Sequence, residues 1–415
     1  MADDSPNVRL TLLFTFLQSF GRGIWLGNVL SAFIFFLAGE SHSLLGWVSS
    51  ATGLAMTLVV FPAGTIADKV RRDLVLKGAF LVGLVALSLM SIASTIFLVV
   101  LALVFWGMFQ GMVQPSLEAI FADSLPSGGR SAKYAQKHLL QQLGMAIGPI
   151  VNIVLFMILG DEWDLTILRK VMLVGLAISA VSLFPLLRFD DRKAIGKASE
   201  AFTETESGGS RSRKVPYIVV ASNLIIGVGA GMTIRYFPIF FYEVYDLAPV
   251  VVNEIMAGLF ILTGTFGLLA QRLSLERGRP LMIFIVQMLA IACLFGISMY
   301  PPFPVLVVLF LLRGSLMNAS QPLSRSILMD YIPKTQRGRW NSVQAIAWGL
   351  FWNFSAVIGG YLIEGFGYST TFVITASVYT LGTLPFLFLI PLVRGEDIPK
   401  VKMAPPLLPT LYRKR

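Results

Sequence analysis

Three arginines, Arg22, Arg235 and Arg313, fall inside long apolar stretches of this 415-residue chain. An arginine at the centre of a membrane-spanning helix costs about 3 kcal/mol on insertion scales, so each needs a partner or a purpose. Arg22 stands about twelve residues into the first apolar stretch, which at about 1.5 Å per residue puts it near mid-membrane. The acid at comparable depth is Glu118, whereas Glu243 and Glu254 belong near the ends of their stretches. A guanidinium presents a planar fork that matches a carboxylate or a phosphate. Three such groups against one acid point to an anionic organic solute as cargo, unless each arginine is structural and pairs with backbone carbonyls or snorkels to the interface. Polar residues accompany the charges at helical spacing: Gln18 and Trp25 flank Arg22, Gln114 lies one turn from Glu118, and Asn318 and Gln321 lead to Arg325. A polar stripe on an apolar helix faces the protein interior, because lipid offers it no partner. Gln18, Arg22, Trp25, Gln114, Arg235, Arg313, Asn318 and Gln321 are therefore the candidate walls of a binding site. Trp348 and Trp352 are candidates to pack against an apolar cargo body, or are ordinary core.

These residues sit on a repeat. Pro115 and Pro322 are 207 positions apart (322 − 115), and the same spacing separates Gly107 from Gly314, Asp123 from Asp330, Pro126 from Pro333 and Arg130 from Arg337. The chain is built from two related halves, each expected to form the same unit. Glu118 and Arg325 also occupy equivalent positions.

Composition assigns the repeat to a bilayer. Apolar residues make up 55% of the chain and charged residues 13%, against roughly 25% charged in a soluble domain; mean hydropathy is +0.75. Although the net charge is +10, the basic residues occupy short loops, as membrane topology demands, and no nucleic-acid partner is implied. One cysteine, Cys293, permits no internal disulfide, and with two histidines it leaves little for a metal site. The polar N-terminal residues lack a basic region or cleavage site, so the first stretch is expected to be a retained span. A span needs about 20 apolar residues. Twelve are predicted, roughly at 10–36, 44–66, 74–93, 97–121, 138–160, 166–187, 216–242, 250–271, 280–300, 303–329, 341–363 and 369–392. The expected organisation is an N-terminal six-helix bundle (1–188), a charged, Ser/Gly-rich linker (189–214), a C-terminal six-helix bundle (215–393) and a basic tail (394–415). Lysines and arginines concentrate in the loops on the side of the linker, which puts both termini in the cytoplasm.

The loop after the second span reads Gly64-Thr65-Ile66-Ala67-Asp68-Lys69-Val70-Arg71-Arg72-Asp73. It resembles the G-x-L-A-D-R-x-G-R-K signature of the major facilitator superfamily: Gly64, Ala67, Asp68, Lys69 and Arg72 fit, whereas Arg71 replaces a glycine and Asp73 a basic residue. A degenerate copy, Gly267-Leu268-Leu269-Ala270-Gln271-Arg272, follows in the second half. The resemblance implies a cavity lined mainly by spans 1, 4, 7 and 10, and alternating access by rocking of the halves. It implies that Asp68, Arg72 and Asp123 brace the outward-open state, with Asp330 the repeat counterpart of Asp123. Gly144 to Asn152 in span 5 is similar to a glycine–proline pattern of the superfamily's antiporters, and is equally a close-packing device. Arginines on spans 1 and 7 resemble those of its organophosphate exchangers. With spans 4, 5, 10 and 11 closing the cytoplasmic side, Glu118 and Arg325 are expected to pair across the halves when that gate shuts. Glu118 as a proton site, or local pairing within each half, are the alternatives.

The expectation is an all-α membrane protein of the major facilitator type, multi-pass in a plasma or organelle membrane. It would carry a small organic anion, a carboxylate or phosphate ester, by exchange or with a proton or counter-anion. A proton-coupled exporter of lipophilic compounds is the first alternative, and a non-transporting receptor or lipid scramblase the second. There is no nucleophile–base pair and no phosphate-cradling loop, so neither an enzyme nor a cofactor is expected.

Overall fold

The computed structural model describes residues 5–69, 71–125, 130–193, 214–332 and 337–393, and among them there is no β-strand. The first half holds α1 (Pro6–Trp25), α2 (Asn28–Leu37), α3 (His42–Lys69), α4 (Arg72–Ile92), α5 (Ile96–Asp123), α6 (Arg130–Leu159) and α7 (Leu165–Leu183). The second holds α8 (Val215–Thr233), α9 (Phe237–Tyr245), α10 (Pro249–Arg277), α11 (Arg279–Ser298), α12 (Phe303–Tyr331), α13 (Arg337–Thr383) and α14 (Pro385–Val393). Eleven segments are long and apolar enough to cross a membrane. The last, Gly349–Val393, has 45 residues, about twice what one crossing needs. It is broken at Gly367, whose φ of 76° suits glycine and not a residue with a Cβ. Two spans meet there, and the total is twelve. The expected linker core and the basic tail lie outside the described residues.

Local chemistry starts and spaces the helices. Asp164 caps α7, its carboxylate accepting from the Thr166 and Ile167 amides at 2.8 and 3.2 Å. Those amides hold the carboxyl below its usual range. The cap is thus present at neutral pH and is lost as pH falls through that lowered value. Small residues bring α1 against both neighbours. A Cβ on Gly148 would strike the backbone of Gly23, one on Gly144 would come within 2.8 Å of the Phe16 carbonyl, and one on Gly21 would collide with Ser179. The span 5 glycines thus pack α6 onto α1. Gly148→Val is expected to lower stability by about 1–3 kcal/mol through overpacking, read as a fall in the melting temperature of the purified protein.

This packing also fixes which way the polar residues of α1 look. Gln18 is buried and accepts from the Ser182 hydroxyl of α7. Trp25 is 1% exposed, donates to Ser179 Oγ at 3.0 Å and meets the Trp106 ring edge-on at 5.2 Å. Gln18 and Trp25 are therefore joints between α1 and α7, and not cavity walls.

The halves meet through α3 with α13 and α6 with α10. Their shared hydrogen bonds run along the face opposite the termini, the far face. Trp163 donates to the Leu247 carbonyl at 2.8 Å, the Val250 amide to Asp161 at 2.8 Å, and Asn152 to Asn253 at 3.2 Å. On the terminal face, Gln114, Gln321 and Arg325 are exposed. The structure is closed on the far face and open on the terminal face.

Candidate transport cavity

Spans 1 and 7 are each interrupted at the same depth. Helix α1 stops at Trp25 and the chain restarts as α2 at Asn28. Helix α8 stops at Thr233, passes through a short 3-10 turn at Ile234–Tyr236 and restarts as α9, with Pro238 in the first turn. A proline there lacks the amide that would continue the preceding helix. The ends of α1 and α8 are 208 positions apart (233 − 25), within one residue of the repeat spacing. Both Arg22 and Arg235 sit at these breaks. Arg22 is in the last turn of α1, where the helix's free carbonyl end favours a cation. The opposite side of α1 carries the apolar residues Leu13, Leu17 and Phe20, of which Leu13 is exposed and the other two half-buried. Arg22 is half-buried, and its Nε is buried without a hydrogen-bond partner among the described residues.

Arg235 is occupied. Its Nη2 donates to Asn353 Oδ1 and its guanidinium lies over the Trp352 ring, 5.4 Å from the centroid. Asn353 packs on Gly53 of α3, where a Cβ would collide with it. Arg235 thus braces the α3–α13 contact that closes the far side. Arg313 is 5% exposed and lies inside the C-terminal half. It donates to the Tyr379 hydroxyl at 3.0 Å and sits over the rings of Phe237 and Tyr379 at 5.0 and 5.8 Å. The sequence left open whether the three arginines meet at one point; in the structure aromatic rings hold Arg313 within its own half, apart from Arg22.

Towards the open face, Gln114 of α5 and Asn318 and Gln321 of α12 are exposed, so these polar stripes do reach solvent. Glu118 bonds Lys137 of α6 within its own half, with the Glu118 side chain 46% exposed. Arg325 lies within electrostatic reach of His138 of α6, across the halves.

At the terminal rim Arg72 bonds Asp123 and its backbone amide donates to Asp191 at 3.1 Å. In the second half Arg279 donates to Asp330 at 2.6 Å. Arg279 stands 207 positions after Arg72 (279 − 72), so both ion pairs are copies of one device that ties span 3 to span 4, or 9 to 10. Sequence reasoning missed Arg279; the signal that finds it is the repeat spacing from Arg72, since loop charge alone does not single it out. Arg71, at the altered glycine, has φ −55° and needs no glycine there; it bonds Asp73 through Nε and Nη2 at 3.0 and 2.9 Å. The two departures from the signature therefore answer each other. Gly64 lies within α3 with open space at its Cβ position, whereas the side chains of Asp68 and Trp348 lie outside the described residues.

Twelve spans in two repeated halves around a polar cleft open on one side define a secondary transporter working by alternating access. Residues 11–300 and 219–414 match the family model of the Major Facilitator Superfamily, and the chain belongs to that family. The fold is shared with the nucleoside transporter NupG, at 15% identity, TM-score 0.69, over 92% of this chain and 99% of that one. It is shared with a bacterial homologue of the human lysosomal transporter Spinster in an inward-facing and occupied conformation, at 12% identity, TM-score 0.73, over 94% and 97%. The human organic anion transporter MFSD10 matches at 16% identity, TM-score 0.63, over 92% and 99%. Comparison with curated protein sequences gave no match.

Proposed function

We propose that the protein carries a small organic anion, a carboxylate or phosphate ester, by exchange or with a proton, and that Arg22 binds the anionic group. The observation that carries this is the arginine itself: half-buried at the span 1 break, with a buried Nε that bonds nothing among the described residues. A cation left without an acid in a partly desolvated site is costly, and an anionic cargo offsets that cost. Gln114, Asn318 and Gln321 supply hydrogen bonds along the path to the terminal face, which the loop charges assign to the cytoplasm. In this reading 1–188 and 215–393 rock as units about the 189–214 linker, with the 394–415 tail in the cytoplasm. When the terminal gate shuts, Glu118 leaves Lys137 for Arg325. Glu118→Arg and Arg325→Glu are then each expected to lower transport about tenfold, with the double swap recovering part of it; a double variant no better than the singles overturns the gate pair.

The test of the cargo class is a thermal-shift screen of the purified protein against matched anionic, neutral and cationic small molecules. A ligand that binds the native state raises its melting temperature. Stabilisation by anions alone supports the reading. The rival, a proton-coupled exporter of lipophilic compounds, draws support from the rings that cover Arg235 and Arg313. Stabilisation by lipophilic cations selects it.

A further inference from the structure

The far face is held shut by a cluster drawn from both halves. His42, the first residue of α3, places Nε2 2.8 Å from Glu243 Oε2 and 3.0 Å from the Tyr368 hydroxyl. Tyr368 donates to the same Glu243 oxygen at 2.5 Å. Beside it, Glu364 accepts from the Ser41 hydroxyl at 2.9 Å and the Ser43 amide at 2.8 Å. Glu243, Glu364 and Tyr368 belong to the second half and Ser41, His42 and Ser43 to the first, so the bonds between these two sets exist only while the far gate is closed.

The hydrogen bonds fix the tautomer. The Tyr368 proton is committed to Glu243, so both oxygens facing Nε2 are acceptors, and Nε2 must carry a hydrogen. The remaining nitrogen, Nδ1, has no hydrogen bond among the described residues. A proton taken there from solvent leaves every gate bond in place and turns a neutral ring into an imidazolium. The groups around that ring are mostly acceptors or anions: Glu243 at the end of α9, and Glu364 and Tyr368 from α13, with Glu364 in electrostatic reach. Tyr236 donates to the His42 carbonyl at 3.3 Å, Phe35 of α2 covers the ring at 5.0 Å, and Glu40 precedes it in the chain. No lysine or arginine of the described residues bonds the cluster. The His42 side chain is 12% exposed and that of Glu243 29%, so protons reach the site from the far side while its charges are only partly screened.

We propose that His42, Glu243 and Tyr368 form a proton-operated latch of the far gate: protonation of His42 adds a charge that faces Glu243 and Glu364 only in the closed state, and so locks that gate. Histidine is the side chain whose charge changes in the range about pH 5 to 8. Mild acid on the far side then holds the carrier open to the terminal face, and alkaline conditions release it. The latch is independent of the cargo and stands whether the solute is an anion or not.

Spin labels on Glu162→Cys and Met299→Cys, one exposed far-face position in each half, report gate closure in a Cys293→Ser background. Pulsed dipolar spectroscopy in nanodiscs is expected to show the short-distance population, relative to the long one, rising about threefold to fivefold between about pH 8 and pH 5.5, the size of a partly exposed ion pair. His42→Gln keeps a neutral donor towards Glu243 and is expected to stay closed to the same extent at both pH values. Glu243→Gln, which keeps the hydrogen-bonding partner without the charge, is expected to shrink the response to the part that Glu364 supplies. A pH-independent distribution in the otherwise native protein overturns the latch, whether or not the variants fold. So does opening on acidification, which would make Glu243 the responding group. A His42→Gln protein that still responds as the native one does moves the response elsewhere and overturns the proposal too.

Discussion

Arg22→Ala is expected to abolish the stabilisation that small organic anions give the purified protein, and to reduce their transport in proteoliposomes to background. A hydrogen bond to a charged group contributes about 1.5–3 kcal/mol, and a guanidinium makes two of them to one carboxylate or phosphate. Loss of one such bond weakens binding about tenfold to a hundredfold, since about 1.4 kcal/mol is a factor of ten. Arg22→Lys keeps the charge and loses the fork, so its expected affinity lies between those of the native protein and Arg22→Ala. The ordering separates two roles. If Arg22 only neutralises the carbonyl end of α1, lysine replaces it fully and anion affinity is unchanged. Equal loss in both variants would mean that geometry is everything at this position. Anion stabilisation that survives Arg22→Ala sinks the proposal.

Depth in the membrane was legible in the sequence, whereas direction around each helix was not. The apolar stretches and the 207-residue repeat are enough to lay down twelve spans and the two halves, because each rests on spacing along the chain, whereas Arg72 and Asp123 are singled out by the resemblance of their loop to the superfamily signature. Gln18 and Arg22 are one turn apart on α1 and look equivalent as a polar stripe. Yet Gln18 is taken by Ser182 while the Arg22 Nε has no partner among the described residues. Gly21 lets α7 approach between them, and α7 meets Gln18 there with the Ser182 hydroxyl; which of the two residues it would meet is not written in their spacing. The far gate was harder still to see. His42, Glu243, Glu364 and Tyr368 come from three separate stretches, at loop edges where a charge is unremarkable, and only the closed fold brings them within bonding distance. Arg313 shows the opposite failure. Its depth suggested a cargo site, but depth does not reveal that Phe237 and Tyr379 enclose it.

That enclosure makes Arg313 the sharper test of how this protein tolerates a buried charge. Its Nη2 has one hydroxyl partner, Tyr379, and its Nε has none among the described residues. Tyr379→Phe removes the hydroxyl and keeps the ring, so the cation–π contact stays and the hydrogen bond goes. The charged group is then left buried with one bond fewer, and the expected loss of stability is about 1.5–3 kcal/mol. Arg313→Met acts in the opposite way, since it removes the charge and the need to satisfy it while keeping a flexible apolar side chain of similar reach. Replacing buried ionic groups by well-packed apolar ones is often neutral or stabilising, so Arg313→Met is expected to melt no lower than the native protein. In an Arg313→Met background the Tyr379 hydroxyl no longer has a charge to satisfy, and the penalty of Tyr379→Phe is expected to shrink to that of a neutral hydrogen bond, about 1 kcal/mol or less. Denaturation in mixed micelles measures all three differences. Anion binding is the second readout: with Arg313 inside its own half, Arg313→Met keeps the anion-induced thermal shift that Arg22→Ala loses. A loss of that shift in Arg313→Met would return Arg313 to the cavity and require the C-terminal half to repack during transport.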